Sequence, residues 1–356
     1  MTEKQEENQH KSQESTFRII THAGCTDGFF SAWLAKRYFN ELTNQSLSRE
    51  EIDNIPVIGQ WPADVQTGEF ELTEYDILLD LPLTEGKKVF LWVDHHSSAN
   101  PRRDLEEHEH WEILPSCTGQ LIAMLEEKGM TISQELKDFK NAMDKIDSAE
   151  YTKEEIMSTY YPPQEGEFNT SDPLITTHIL ASFAHTRDRY LNAILLANLT
   201  KSSPKADSPL TDESLWRMSP LLFHKSQLNG YQEWRDQVDT YIEYDEEYKT
   251  IIQDTRKIRR TYGIVDRFYA YVKFTQASYG IVIKEKDEEL ASLGIGCNIF
   301  FKDRCKVDIG KLCKDVATTF GTGGGGGHKT VGGCVIKIEH IDEARKMILE
   351  TFENAE

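Results

Sequence analysis

A run of five apolar residues, Val89 to Val93, ends abruptly in Asp94-His95-His96. A strand that is apolar at every position has both faces covered, so it belongs in the middle of a sheet with helices on either side. Two further runs read the same way: Phe17 to Thr21, followed by His22, and Tyr75 to Leu79, followed by Asp80. Pro56 to Gln60 is a fourth strand candidate. Between and after these runs the period changes. Phe30, Trp33, Leu34 and Tyr38 recur at helical spacing between Gly28 and Leu42. Helices are expected from Thr118 to Lys128 and from Ser133 to Ile146, the second striped by Leu136, Phe139, Met143 and Ile146. Strand and helix in alternation define an α/β fold built on a parallel sheet.

A chain of 356 residues suggests two domains, at ~100–200 residues per domain. Residues 1–16 are rich in Glu, Gln, Lys and Ser and have little to bury, so a disordered tail is expected there. The N-terminal parallel-sheet domain is placed at 17–200, a linker and bridging helix at 201–261, and a smaller C-terminal α/β domain at 262–356. The linker rests on Pro204, Pro209 and their Ser and Asp neighbours. The bridging helix, Tyr231 to Arg260, would carry Trp234, Val238, Tyr241, Tyr248 and Ile252 on one side. Beyond it, Tyr269 and Tyr271 are expected on one strand face, and Ile281 and Ile283 on another. A helix from Ile309 to Phe320, N-capped by Asp308, leads into the five glycines Gly323 to Gly327 and then His328.

The charge of −20, from 40 basic and 60 acidic residues, excludes a broad grip on duplex DNA, which needs a basic surface to displace phosphate counterions. A small or single-stranded anion held at one local site stays open. No apolar run approaches the ~20 residues of a membrane span, and the polar N-terminus lacks an export signal, so a cytoplasmic protein is expected. The six cysteines contain no CxxC pair, which points to neither a zinc ribbon nor a disulfide framework.

Acids and histidines stand just past the carboxyl ends of the expected strands: His22 and Asp27, Asp80, and Asp94-His95-His96. In an open α/β sheet, that edge is where ligands bind. Converging carboxylates and imidazoles suit a pair of divalent cations, and the imidazoles tilt the choice from Mg²⁺ towards Mn²⁺. Asp144 and Asp147, three apart near a helix end, could each supply a last carboxylate. In the C-terminal half, a loop without side chains at Gly325, Gly326 and Gly327 would let backbone N–H groups approach an anion, with Arg304 as a bidentate partner.

Taken in order, these motifs resemble the DHH phosphoesterase superfamily. They are His22…Asp27-Gly28, Asp80, Asp94-His95-His96, a later Asp at 144 or 147, and Gly324 to His328. The last resembles the DHH-associated C-terminal domain, which binds the nucleotide in nanoRNase-like and RecJ-like relatives. The resemblance runs from Phe17 to about His340. It implies a two-domain enzyme with two Mn²⁺, or Mg²⁺, in the cleft, acting on short single-stranded oligonucleotides or on linear or cyclic dinucleotides. By the family pattern, His22 binds one metal, Asp80 bridges, and Asp27, His95 and Asp147 (with Asp144 as the alternative) hold the other. His96 would face the scissile phosphate, and Arg304, the glycines and His328 would hold the far end of the substrate. Cys25 stands where many relatives have Asp; it reads as a branch feature that could weaken the first site or favour a softer metal. Relatives often dimerise, and the sequence leaves a homodimer open. Two other readings are carried forward: a hydrolase of pyrophosphate, polyphosphate or nucleotide 3′-phosphate, and a non-catalytic nucleotide sensor.

Overall fold

A computed structural model describes residues 17–160, 240–257 and 268–355. The expected tail, the Pro204–Pro209 linker and the Trp234 and Val238 part of the bridging helix lie outside the described residues.

The first sheet contains β1 (Arg18–His22), β2 (Val57–Gln60), β3 (Asp76–Leu79), β4 (Leu91–Asp94) and β5 (Glu109–Trp111). Their order is β2-β1-β3-β4-β5 and every pairing is parallel. β3 and β4 are buried at every position, as their apolar runs require. On one face Ile19, Ile77, Leu79, Leu91 and Val93 pack under the helices Thr26–Arg37, Cys117–Glu127 and Gln134–Ser148; on the other, Ile20, Leu78 and Trp92 join Val65 and Leu72. Phe30 and Phe139 meet edge to face at 4.9 Å and hold the first and third of those helices together. β5, Glu-His-Trp, was not expected: it is a short polar strand at the sheet edge, where no apolar run is needed. From β1 the chain runs outward to β2 on one side and later to β3 on the other. This is the arrangement that opens a crevice at the carboxyl ends of β1 and β3.

The second sheet comprises β6 (Ile242–Asp245), β7 (Thr250–Asp254), β8 (Tyr279–Glu285), β9 (Leu290–Cys297), β10 (Gly321–Gly327) and β11 (Val331–Lys337), in the order β10-β11-β9-β8-β7-β6. β7 and β8 are parallel and the other pairs antiparallel. The helices Ile309–Phe320 and Ile341–Glu353 cover one face. Asp308 caps the first of them, accepting the Lys311 N–H at 3.0 Å.

Four expectations are corrected. The described part of the expected bridging helix is a hairpin, β6 and β7. Lys249, at φ 45°, sits in its turn, and pairing to β8 overrides a helical period that this stretch also satisfies. Tyr269 and Tyr271 lie on a short helix, Tyr269–Lys273, and not on a strand. The glycine run is not a loop but edge strand β10: a Cβ at Gly325 would fall on the Cys313 carbonyl oxygen, so the missing side chains let the Ile309–Phe320 helix close onto the strand. Cys297 and Cys305 form a disulfide, brought together by the turn after β9. Among the described residues no helix is long and apolar enough to cross a membrane.

Candidate metal centre

Each strand end delivers its side chain by a different local device. His22 closes β1, and its Nδ1 lies 3.2 Å from Asp80 Oδ2. Asp80 follows β3 at φ 55°, a left-handed conformation that a non-glycine residue keeps at a cost and that clusters at functional sites. Its N–H still donates to Val93 O at 3.0 Å. Asp94 closes β4 and organises the turn beyond it, because its Oδ1 accepts from the N–H groups of His95 (2.8 Å) and His96 (3.2 Å) and lies 2.7 Å from His96 Nδ1. His95 Nδ1 is 2.9 Å from Leu114 O. A carbonyl can only accept, so the hydrogen sits on Nδ1 and Nε2 is the atom presented to the cluster.

Helices supply the rest. Asp27 lies in the first turn of Thr26–Arg37 and accepts from the N–H groups of Cys117 (2.6 Å) and Thr118 (2.9 Å), at the N-terminus of Cys117–Glu127. A Cβ on Gly28 would fall on the His22 carbonyl oxygen, so this glycine lets the helix start against β1. Asp147 comes from the last turn of Gln134–Ser148, and its Oδ1 is 3.9 Å from Cys25 Sγ. Asp144, one turn back, is engaged elsewhere: it accepts from Ser116 Oγ at 2.5 Å and Lys140 Nζ at 2.6 Å.

The result is a buried knot of donors. His95 Nε2 lies 3.5 Å from Asp27, 3.3 Å from Asp80 and 3.4 Å from Asp147. Among the described residues, His95 Nε2, Asp80 Oδ1 and Asp94 Oδ2 are buried with no hydrogen-bond partner. Orphaned buried polar atoms are rare in folded proteins, and three carboxylates standing just beyond hydrogen-bond distance of one imidazole leave the spacing a cation requires. Ligand-type atoms fall into groups within 4.8 Å of one another: His22, Cys25 and Asp80; Asp27, His95 and Asp147; and Asp80, Asp94, His95 and His96. The structure thus brings together His22, Asp27, Asp80, His95, His96 and Asp147, with Cys25 among them, and leaves Asp144 out.

The second domain adds His328, whose ring stacks on His96 at 4.8 Å and stands 5.9 Å from His95. Gly326 faces open space, and Gly327 has φ 144°. Arg304 lies with its guanidinium 3.8 Å over the Phe301 ring and donates to Thr275 O at 3.0 Å. Lys302 Nζ reaches the Ser148 carbonyl at 3.1 Å and ties the domains beside Asp147.

The electrostatics follow from crowding. Burial opposes a charge on His95, but the close approach of Asp80 and the charges of Asp27, Asp147 and Asp80 outweigh it and push the pKa up to about 11. Burial likewise works against His96, whose hydrogen bond to Asp94, with the charges of Asp94 and Asp80, raises it to about 9. Burial and repulsion by Asp27 lift Asp147 to about 7. Asp80 resists burial through its hydrogen bond with His22 and the closeness of the His95 and His96 imidazoles, and stays well below the usual carboxylate range. Burial and the neighbouring charges of His96 and His95 lower His328 to about 4. Burial and the charges of Asp80, Asp147 and Asp27 push the Cys25 thiol up, so it is a neutral sulfur.

Sequence reasoning missed the supporting parts: Asp94 as the residue that orients His96, the Leu114 carbonyl, and the Cys117 and Thr118 amides. Asp94 was visible in the triplet. The other three are backbone groups, which carry no residue signal.

Comparison with known proteins agrees with this architecture. Residues 263–354 match the DHHA1 domain family. The chain superposes on the pGpG-specific phosphodiesterase PggH from Vibrio cholerae with a TM-score of 0.54 and 22% identity, covering 96% of this chain and 100% of that one. An exopolyphosphatase-related protein from Bacteroides fragilis gives a TM-score of 0.45 and 14% identity, covering 96% of this chain and 92% of that one. RecJ from Thermus thermophilus in complex with Mn²⁺ gives 0.46 and 12%, covering 95% and 52%. Only the first of these three scores exceeds 0.5, and at 22% identity it shows a shared fold. No curated protein matches the chain. The chain shares the fold of that phosphodiesterase.

Proposed function

We propose that the chain is a phosphoric ester hydrolase that cleaves short single-stranded oligonucleotides or linear or cyclic dinucleotides with the help of two divalent cations, Mn²⁺ or Mg²⁺. The observation that carries this reading is the pair of donor groups, His22–Cys25–Asp80 and Asp27–His95–Asp147, built around orphaned buried atoms that want positive charge. The residues fit the ions. Asp80 lies between the two groups, with Oδ2 towards His22 and Oδ1 towards His95. The first group would hold one ion, with Cys25 as a softer donor than a carboxylate, and the second group the other. When bound, such a pair supplies Lewis-acid activation of water and neutralises charge on the phosphoryl oxygens.

The remaining chemistry belongs to the chain. Asp94 keeps His96 protonated up to about pH 9, so its imidazolium can give a proton to the leaving oxygen. His328, neutral and stacked on His96, closes that side of the cleft from the DHHA1 domain. An acidic protein of this kind holds a short phosphate chain at a few points and not a long duplex. It works in the cytoplasm, and a homodimer is an expectation inherited from the resemblance.

Purified protein loaded with Mn²⁺ is expected to bind two ions per chain by elemental analysis and to hydrolyse pApA, pGpG, five-nucleotide RNA or cyclic dinucleotides. Chelation should abolish turnover, and added Mn²⁺ should restore it. Asp80→Ala and His95→Ala should lose both metal and activity. Fewer than two ions per chain together with no cleavage of any of these substrates refutes the reading.

A further inference from the structure

Four aromatic rings follow one another across the crevice at the carboxyl ends of the first sheet. Trp61 and His22 meet nearly at right angles with centroids 6.4 Å apart, His22 and His96 are also 6.4 Å apart, and His96 and His328 stack at 4.8 Å. Trp61 directly follows β2, His22 closes β1, and His96 lies just past β4. In the sheet order β2-β1-β3-β4-β5, His22 stands between the other two, so Trp61 and His328 mark opposite ends of the row.

Three of these rings have a part in the site already described, and Trp61 has none. Tryptophan contributes a large apolar area wherever it is buried. Trp33 and Trp92 are 1% exposed, and Trp111 packs on the cluster of Ile20, Leu78 and Trp92 and donates to His96 O at 2.9 Å. Trp61 is half-buried, and among the described residues it joins none of the four apolar clusters. Its backbone is nevertheless fixed. The Trp61 carbonyl accepts from the N–H groups of Asp64 (3.0 Å) and Val65 (3.3 Å) at the start of the short helix Pro62–Gln66, and the Ala23 N–H, next to His22, donates to Gln60 O at 2.8 Å. A large flat side chain on a fixed strand end, outside the core and beside the donor atoms of the candidate metal centre, is placed to pack on a ligand.

We propose that Trp61 is a stacking platform for a nucleobase of the substrate, on the side of the candidate metal centre away from the second domain. The proposal rests on the nucleotide-hydrolase reading above and adds a residue of the first domain that recognises the substrate. With the scissile phosphate over the donor groups around Asp80, one nucleoside extends towards His328 and the other crosses β1 towards β2, where the indole takes its base. Such a stack uses the π-face that every base has and not the base edge, so it selects for the presence of a base and tolerates its identity. A pyrophosphate or a simple phosphate ester gains nothing from it.

The test uses the full chain loaded with Mn²⁺ and three substrates: pGpG, and the same dinucleotide with the base removed from either its 5′ or its 3′ ribose. In Trp61→Leu, kcat/KM on pGpG should fall roughly tenfold, the scale of one lost base stack, chiefly through KM, and Trp61→Phe should restore most of it. One abasic substrate should lose as much. The other, which lacks the base that Trp61 holds, should be cleaved equally by Trp61→Leu and the wild type. Trp61→Leu should also retain as much Mn²⁺ as the wild type by elemental analysis. An equal loss on all three substrates, or a loss of Mn²⁺, would mean that Trp61 only supports His22, and overturns the platform; so does an unchanged kcat/KM on pGpG. A wild-type protein that cleaves none of the three overturns the hydrolase reading instead.

Discussion

Asp94→Asn isolates one charge in the site. Asparagine keeps the shape of the side chain, and its carbonyl oxygen can still accept from the His95 and His96 amides and from His96 Nδ1, now at 2.8, 3.2 and 2.7 Å. What disappears is the negative charge on a side chain with no solvent exposure. A hydrogen bond to an ionised acceptor is about twice as strong as a neutral one, so the exchange removes roughly 1–1.5 kcal/mol of preference for the imidazolium. That is about one pKa unit. Asp94 is the first cause opposing burial in raising His96 to about 9, and Asp80, 3.6 Å away, continues to act. The His96 pKa should therefore settle near 8 (a drop of about one unit) and not return to the free value. If protonated His96 serves the leaving oxygen, activity is full below its pKa and is lost as pH rises through it. The alkaline limb of kcat/KM on a dinucleotide should thus move down by about one unit, and at pH 9 the protonated fraction should fall from about one half to about one tenth. The assay is a pH–rate profile of both proteins loaded with Mn²⁺ across the neutral and alkaline range. An alkaline limb that stays put or moves upward refutes the role given to His96 and its partner.

Other substitutions separate neighbours the sequence could not. Asp147→Ala should lower activity at least 100-fold, on the scale that disturbed metal sites show, whereas Asp144→Ala should keep it within about threefold and lose about 1 kcal/mol of stability with the Ser116 and Lys140 bonds. Kinetics and urea denaturation check both, and equal losses of activity would show that Asp144 had been wrongly set aside. Gly28→Ala should cost about 1–3 kcal/mol by forcing the Thr26–Arg37 helix away from the His22 carbonyl, read as a lower urea midpoint; an unchanged midpoint would mean that the helix start yields freely.

The N-terminal sheet was legible because its strands are short apolar runs with a polar group at each carboxyl end, and burial on both faces leaves few other ways to use such runs. The Ile309–Phe320 helix was legible for a similar reason, since its period and its Asp308 cap agree. Legibility failed where a segment satisfies two patterns at once. Residues 242–254 carry apolar side chains that serve a helix or a strand, and the parallel partner β8 decided for the strand. The glycine run reads as a loop by composition, and only the neighbouring helix shows why a strand without side chains is needed there.

The sequence by itself determined which chemical groups this protein could gather: the order of His22, Asp80, His95 and His96 at strand ends, with Asp27 at a helix start, sends them to one edge of a parallel sheet, because strand direction sets where each run ends. The tertiary structure decided the rest. It set Asp147 beside His95 and turned Asp144 to Ser116 and Lys140. It set the direction of His95 through the Leu114 carbonyl and brought His328 onto His96 from a separate domain. Those outcomes depend on distances between residues far apart in the chain, and local pattern carries no information about such distances.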